Sequence, residues 1–162
     1  MKSLAIIALG SLAALSFTAQ AEVATERNMS QKLAAQIVSA AVESCTAKGY
    51  NVTATVVDRA GSVRAVLRAN NAGPHTVDAS RRKAYTSAST KAATSAIVEM
   101  VQKNPGAQNL PMIDDFLVLG GGLPIKVGDE VIGAVGIGGA PGGHLDEQCA
   151  SAALENVKSQ LK

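Results

Sequence analysis

Tryptophan is absent from this chain, and aromatic residues make up 2% of its 162 positions. Beyond residue 21 only Tyr50, Tyr85 and Phe116 remain, too few to build the stacking platforms on which single-stranded nucleic acids bind. Charge of one sign is missing too. Lys2 is the only charged residue among the first 21, so the remainder carries 14 basic and 13 acidic side chains. That balance leaves no electrostatic footprint for nucleic acid. Two histidines, His75 and His144, and two cysteines, Cys45 and Cys149, make no zinc-type spacing. Past residue 21 no apolar run is long enough to span a bilayer.

The one sustained apolar run, Leu4–Phe17, follows Lys2 and precedes Ala19-Gln20-Ala21. A positive start, a short apolar centre and small residues at the −3 and −1 positions predict a secretory signal peptide over residues 1–21, cut after Ala21. The expected product is a periplasmic or secreted domain, residues 22–162. In that compartment Cys45 and Cys149 can form a disulfide. They lie in the first and last predicted helices, so docking of those helices would bridge them. Two separate buried thiols are the alternative.

Glycine is the abundant special residue, and it concentrates in Gly120–Glu147. There Leu123-Pro124-Ile125 and Val131–Ile137 flank Gly128-Asp129, the pattern of a hairpin. Asn51–Val57 and Ser62–Arg68 flank Asp58-Arg59-Ala60-Gly61 in the same way. Ser30 caps a predicted helix to about Lys48. A long helix rich in alanine and serine is predicted from Thr76 or Asp78 to about Lys103, where Asn104-Pro105-Gly106 ends it. Phe116–Leu119 reads as a short strand, and the last helix runs from about Leu145 to Leu161. The order α-β-β-α-β-β-β-α predicts one α+β domain: a five-stranded, mostly antiparallel sheet covered by helices.

Taken together, Val56-Val57-Asp58-Arg59-Ala60-Gly61, Lys83-Ala84-Tyr85-Thr86, Gly121-Gly122-Leu123-Pro124-Ile125 and Val131-Ile132-Gly133-Ala134-Val135-Gly136 resemble the GlcG/HbpS family of haem-binding-type domains. The Gly138-Gly139 run and Asp146-Glu147-Gln148-Cys149-Ala150 complete the likeness, which covers nearly all of residues 22–162. The resemblance implies a profilin-like sandwich, homo-oligomer formation and, for some members, haem binding. The chain departs from the pattern at Asn71-Ala72-Gly73-Pro74, where members often carry an acidic residue followed by a Gly-Ala-Pro-like motif.

The chemistry a haem would need gathers at the start of the second helix. Tyrosinate and histidine both ligate haem iron, which makes Tyr85 and His75 the candidate ligands. Arg81, Arg82 and Lys83 offer cations for the propionates. His144, after Gly142-Gly143, stands where helix N-terminal amides can receive an anion. Gly121 and Gly122 could line a pocket for haem or another small molecule. That same pocket could instead serve a small-metabolite binder or a non-haem enzyme. Gly133–Gly143 lacks the Gly-Lys-Ser/Thr ending of a phosphate loop. The carboxylate pairs Asp114-Asp115 and Asp146-Glu147 are sequence neighbours whose side chains diverge, so no catalytic residue is assigned.

Overall fold

Residues 22–162 are described by a computed structural model of the chain. The expected signal peptide, residues 1–21, lies outside the described residues. The elements are α1 (Gln31–Thr46), β1 (Thr53–Asp58), β2 (Val63–Arg68), α2 (His75–Thr90), α3 (Thr94–Lys103), β3 (Gly122–Val127), β4 (Glu130–Gly138) and α4 (Gly143–Asn156). Short 3-10 turns follow α3 and α4.

The four strands form one sheet in the order β2-β1-β4-β3, with every neighbouring pair antiparallel. Both hairpins sit where the turn residues place them. Asp58 Oδ1 accepts from the N–H groups of Ala60 and Ser62 at 3.0 Å each, which fixes the first turn. Gly128, at φ 59°, makes the second. At the start of α1, Ser30 Oγ accepts from the Leu33 N–H at 3.2 Å, as its capping role requires.

β1 is central and buried on both faces, and its alternation divides the core. Ala54 and Val56 join Ile37, Ala41, Val135, Ile137, Ala150 and Ala153 in the main cluster beneath α1 and α4. Thr53, Thr55 and Val57 face α2 instead. There the packing is small and polar: Thr53 Oγ1 meets Thr76 Oγ1 at 2.7 Å, and Thr55 Oγ1 meets Ser80 Oγ at 2.8 Å. Helix and sheet approach so closely that a Cβ at Gly136 would stand 2.1 Å from the Ser80 carbonyl oxygen. A strand glycine here is a condition of close helix packing.

Cys45 and Cys149 are bridged, with Cα atoms 5.4 Å apart and no solvent exposure at either residue. The bridge fastens α1 to α4 across 104 residues of sequence.

Two expectations are corrected. The sheet has four strands, because Phe116–Leu119 does not pair. Asp115 turns the chain at φ 65°, and the backbone beyond it bonds to side chains of α2. The Phe116 carbonyl accepts from Arg82, and the Leu117 N–H donates to Thr86 Oγ1 at 2.8 Å. The predicted long helix is also two helices. Lys91 adopts a left-handed conformation at φ 57°, and Ser87 Oγ donates to the Ala92 carbonyl at 2.7 Å. α3 then restarts at Thr94, held by contacts described below.

Candidate functional site

α2 separates two surfaces. Its inner line, Thr76, Ser80, Lys83 and Ser87, is buried against the sheet. Its outer surface carries His75, Asp78, Arg82 and Tyr85, which fall within an arc of about 100° at 100° per residue. Along one flank lies the 113–118 segment, tied down by the Arg82 and Thr86 contacts already given. Arg81 adds ion pairs to Asp78 at 2.9 Å and Asp115 at 2.7 Å. The hydrogen bond from Arg81 holds the Asp115 carboxyl below its ordinary range, and the two carboxylates in turn raise Arg81.

Tyr85 is half-buried. Its ring meets Phe116 edge-on, with centroids 6.3 Å apart and planes at 74°. The other side of the ring covers Gly61, where a Cβ would come within 2.7 Å of it. Gly61 thus provides the floor for Tyr85. No hydrogen bond from the described residues reaches the Tyr85 hydroxyl, and no buried side-chain polar atom lacks a partner. The hydroxyl is therefore open to an outside group.

His75 is exposed on the first residue of α2, with its ring beside Gly73. It lies about 15 Å from Tyr85 along the axis, at 1.5 Å per residue. The two rings rest against different supports, so one chain does not bring them to a common point. His144 is exposed at the start of α4, its ring folded over Gly142.

Lys83 requires a correction. It was expected to offer its charge to a ligand, but it is 2% exposed and already paired. Its ammonium donates to Asp146 Oδ2 at 2.7 Å and to the Ile137 carbonyl at 2.9 Å. Ile137 takes its last strand bond on that side from Gly121, donating its N–H to the Gly121 carbonyl at 2.8 Å. Gly121 then turns away at φ 124°, so the Ile137 carbonyl accepts from Lys83 in place of a strand N–H. Asp146 Oδ1 accepts from the Ala140 N–H at 3.0 Å. Burial pushes the Asp146 carboxyl above its ordinary value, against the opposing pull of Lys83 and the Ala140 amide.

The same junction fills the space expected to be a glycine-lined pocket. A Cβ on Gly121 would meet Lys83 Nζ and Ile137 O at 2.7 Å, and one on Gly122 would meet Lys83 O at 2.5 Å. Glu147 Oε1 accepts from the N–H groups of Ser95 (3.0 Å) and Gly121 (3.2 Å), while Thr94 Oγ1 accepts from Gly122 (2.8 Å). Glu147 therefore caps α3 from α4 and locks the start of β3. The clue in the sequence was helical spacing: Lys83 falls in line with Thr76, Ser80 and Ser87, not with the surface arginines. Among the described residues no group of three or more His, Cys, Asp or Glu could hold a metal ion, and no helix is long and apolar enough to cross a membrane.

An antiparallel sheet with α1 and α4 on one face, and on the other a close-set helix bearing Tyr85, defines an α+β sandwich. Comparison with known proteins narrows this class. The family model described as haem degrading protein HbpS-like matches residues 29–155. Protein GlcG of Escherichia coli strain K12 is 32% identical over 109 residues, covering 67% of this chain and 80% of GlcG. The crystal structure of a double mutant of Streptomyces reticuli HbpS matches with a TM-score of 0.80 at 33% identity, covering 93% of this chain and 98% of that one. A crystal structure of a PduOC–haem complex matches with a TM-score of 0.70 at 25% identity, over 79% and 94% of the two chains. The chain belongs to the HbpS-like family, in which the sequence resemblance had placed it.

Proposed function

We propose that this protein is exported through its N-terminal leader and binds haem on the outer surface of α2, with Tyr85 as the iron ligand. The observation that carries the reading is the Tyr85 hydroxyl: accessible, without a protein partner, and mounted on a ring held by Phe116 and Gly61. Family membership and the haem complex of the PduOC neighbour give it a chemical direction. Bound haem would supply an iron centre for ligand binding or redox chemistry. The chain's own residues would orient it: Tyr85 at the iron, and arginines beside the propionates. His75 and His144, both exposed, are not assigned as iron ligands.

Self-assembly belongs to the same proposal. Met100, Met112, Ile113 and Leu119 are 39–81% exposed on and after α3, an apolar concentration that a second copy would cover. The alternative of a metabolite pocket at Gly121 and Gly122 loses its support, since Lys83 and Thr94 occupy that space.

Titrating purified protein with haemin tests the reading. A Soret band that saturates at one haem per chain, and that shifts or is lost in Tyr85→Phe while His75→Ala leaves it intact, is the expected result. No saturable band at micromolar haemin, or an unaltered spectrum in Tyr85→Phe, overturns it.

A further inference from the structure

The two flanks of α2 differ, and the difference bears on where a flat ligand rests. Ala79 points toward β4, where a Cβ on Gly138 would lie 3.4 Å from its Cβ. Arg82 and Thr86 hold Phe116 and Leu117 on that same side, while Asp115 reaches across to Arg81, one turn beyond Val77. Val77 therefore lies on the opposite flank, toward β2.

The register fixes what faces Val77. Thr53 touches Thr76 and pairs with Arg68; Thr55 touches Ser80 and pairs with Val66; Val57 pairs with Val63. Arg68, Val66 and Val63 thus run along the edge strand beside α2, on the helix-facing side. α2 sits over β1 and β4 and leaves this edge uncovered. Val63 is 47% exposed, Val66 45% and Val77 40%. At one end of this exposed strip Val63 is two residues from Gly61, the floor of Tyr85. At the other end Arg68 donates to the Ala72 carbonyl, and among the described residues no carboxylate forms an ion pair with it.

Building on the haem reading above, we propose that the porphyrin lies along this α2–β2 flank, its apolar edge over Val63, Val66 and Val77 and one propionate directed to Arg68. An apolar strip with a tyrosine hydroxyl at one end and an uncompensated guanidinium at the other matches an amphiphilic, anionic ring. The 113–118 flank offers no comparable room, because its own chain already fills it.

Haemin titration of wild type, Val66→Asp and Arg68→Ser, with melting curves for each, tests this placement. Val66→Asp is expected to weaken binding at least about tenfold by setting a carboxylate under the ring, and Arg68→Ser about fivefold by removing the propionate partner. Both positions are on an edge strand, and the serine variant leaves the apolar residues in place should the aspartate variant melt early. Hydrogen exchange gives a second readout: haemin should protect amides of residues 63–68 and 76–81. If wild type binds haemin and both variants match it, the placement is wrong while haem binding stands. Variants that alter sedimentation but not haemin affinity make this flank a subunit contact and overturn the placement as well. Absence of binding in wild type removes the haem reading and the placement with it.

Discussion

Replacing Lys83 by methionine removes an ammonium of nearly the same length from a site that is 2% exposed. Asp146 Oδ2 then loses its 2.7 Å partner, and the Ile137 carbonyl loses a 2.9 Å donor. Breaking a buried pair from one side costs about 3–5 kcal/mol, because the other charge stays behind without compensation. A drop in unfolding free energy of about 4 kcal/mol corresponds to a fall in Tm of roughly 8–16 °C for a domain of this size. The double variant Lys83→Met/Asp146→Leu removes both charges and should recover the part of the loss owed to the unpaired carboxylate, leaving the Ala140 amide without its acceptor and the Ile137 carbonyl without its donor. The deficit of the single variant should also depend on pH. Burial already raises Asp146 in the wild type, and the raising is stronger once Lys83 is gone. A carboxyl raised in the folded state stabilises the fold below its unfolded pKa, and that stability is lost as pH rises through the folded value. The single variant should therefore lie closer to wild type at pH 4 than at pH 8. Urea unfolding at both pH values measures this. A deficit under about 1 kcal/mol, or one equal at the two pH values, refutes the reasoning that the pair is an isolated buried ion pair.

Gly136→Ala drives a methyl group onto the Ser80 carbonyl, 2.1 Å away; a loss of about 3 kcal/mol or more, or failure to fold, is expected by calorimetry. Lys91→Gly relieves a left-handed non-glycine residue at φ 57° and should stabilise by about 0.5–1 kcal/mol in urea unfolding. Reduction of the Cys45–Cys149 bridge, or its replacement by two serines, should lower stability by about 4–5 kcal/mol in the chain-entropy model for a loop of 104 residues. The measurement is urea unfolding with and without reductant, and equal midpoints would contradict it.

Local chemistry made both hairpins and the first cap legible. Asp58 to Gly61, Gly128-Asp129 and Ser30 act through their own backbone neighbourhoods, which sequence displays. The elements that were misread are those decided by distant partners. Nothing in Lys91-Ala92-Ala93 announces a helix break; Thr94 and Glu147 impose it through Gly122, Gly121 and Ser95. Phe116–Leu119 has the composition of a strand, yet its polar backbone is satisfied by Arg82 and Thr86. The candidate site divides in the same way. Tyr85 and the arginine cluster pointed to the outer surface of α2. The run Arg81-Arg82-Lys83, however, hid a residue whose helical phase turns it inward, toward an acid 63 positions away. His75 and Tyr85 looked like partners because they share a helix, but ten residues of rise separate them.

Cys45 precedes Cys149 by 104 residues, and all four strands are synthesised between the two. A single proteolytic nick anywhere between them therefore leaves the two pieces covalently joined until the bridge is reduced.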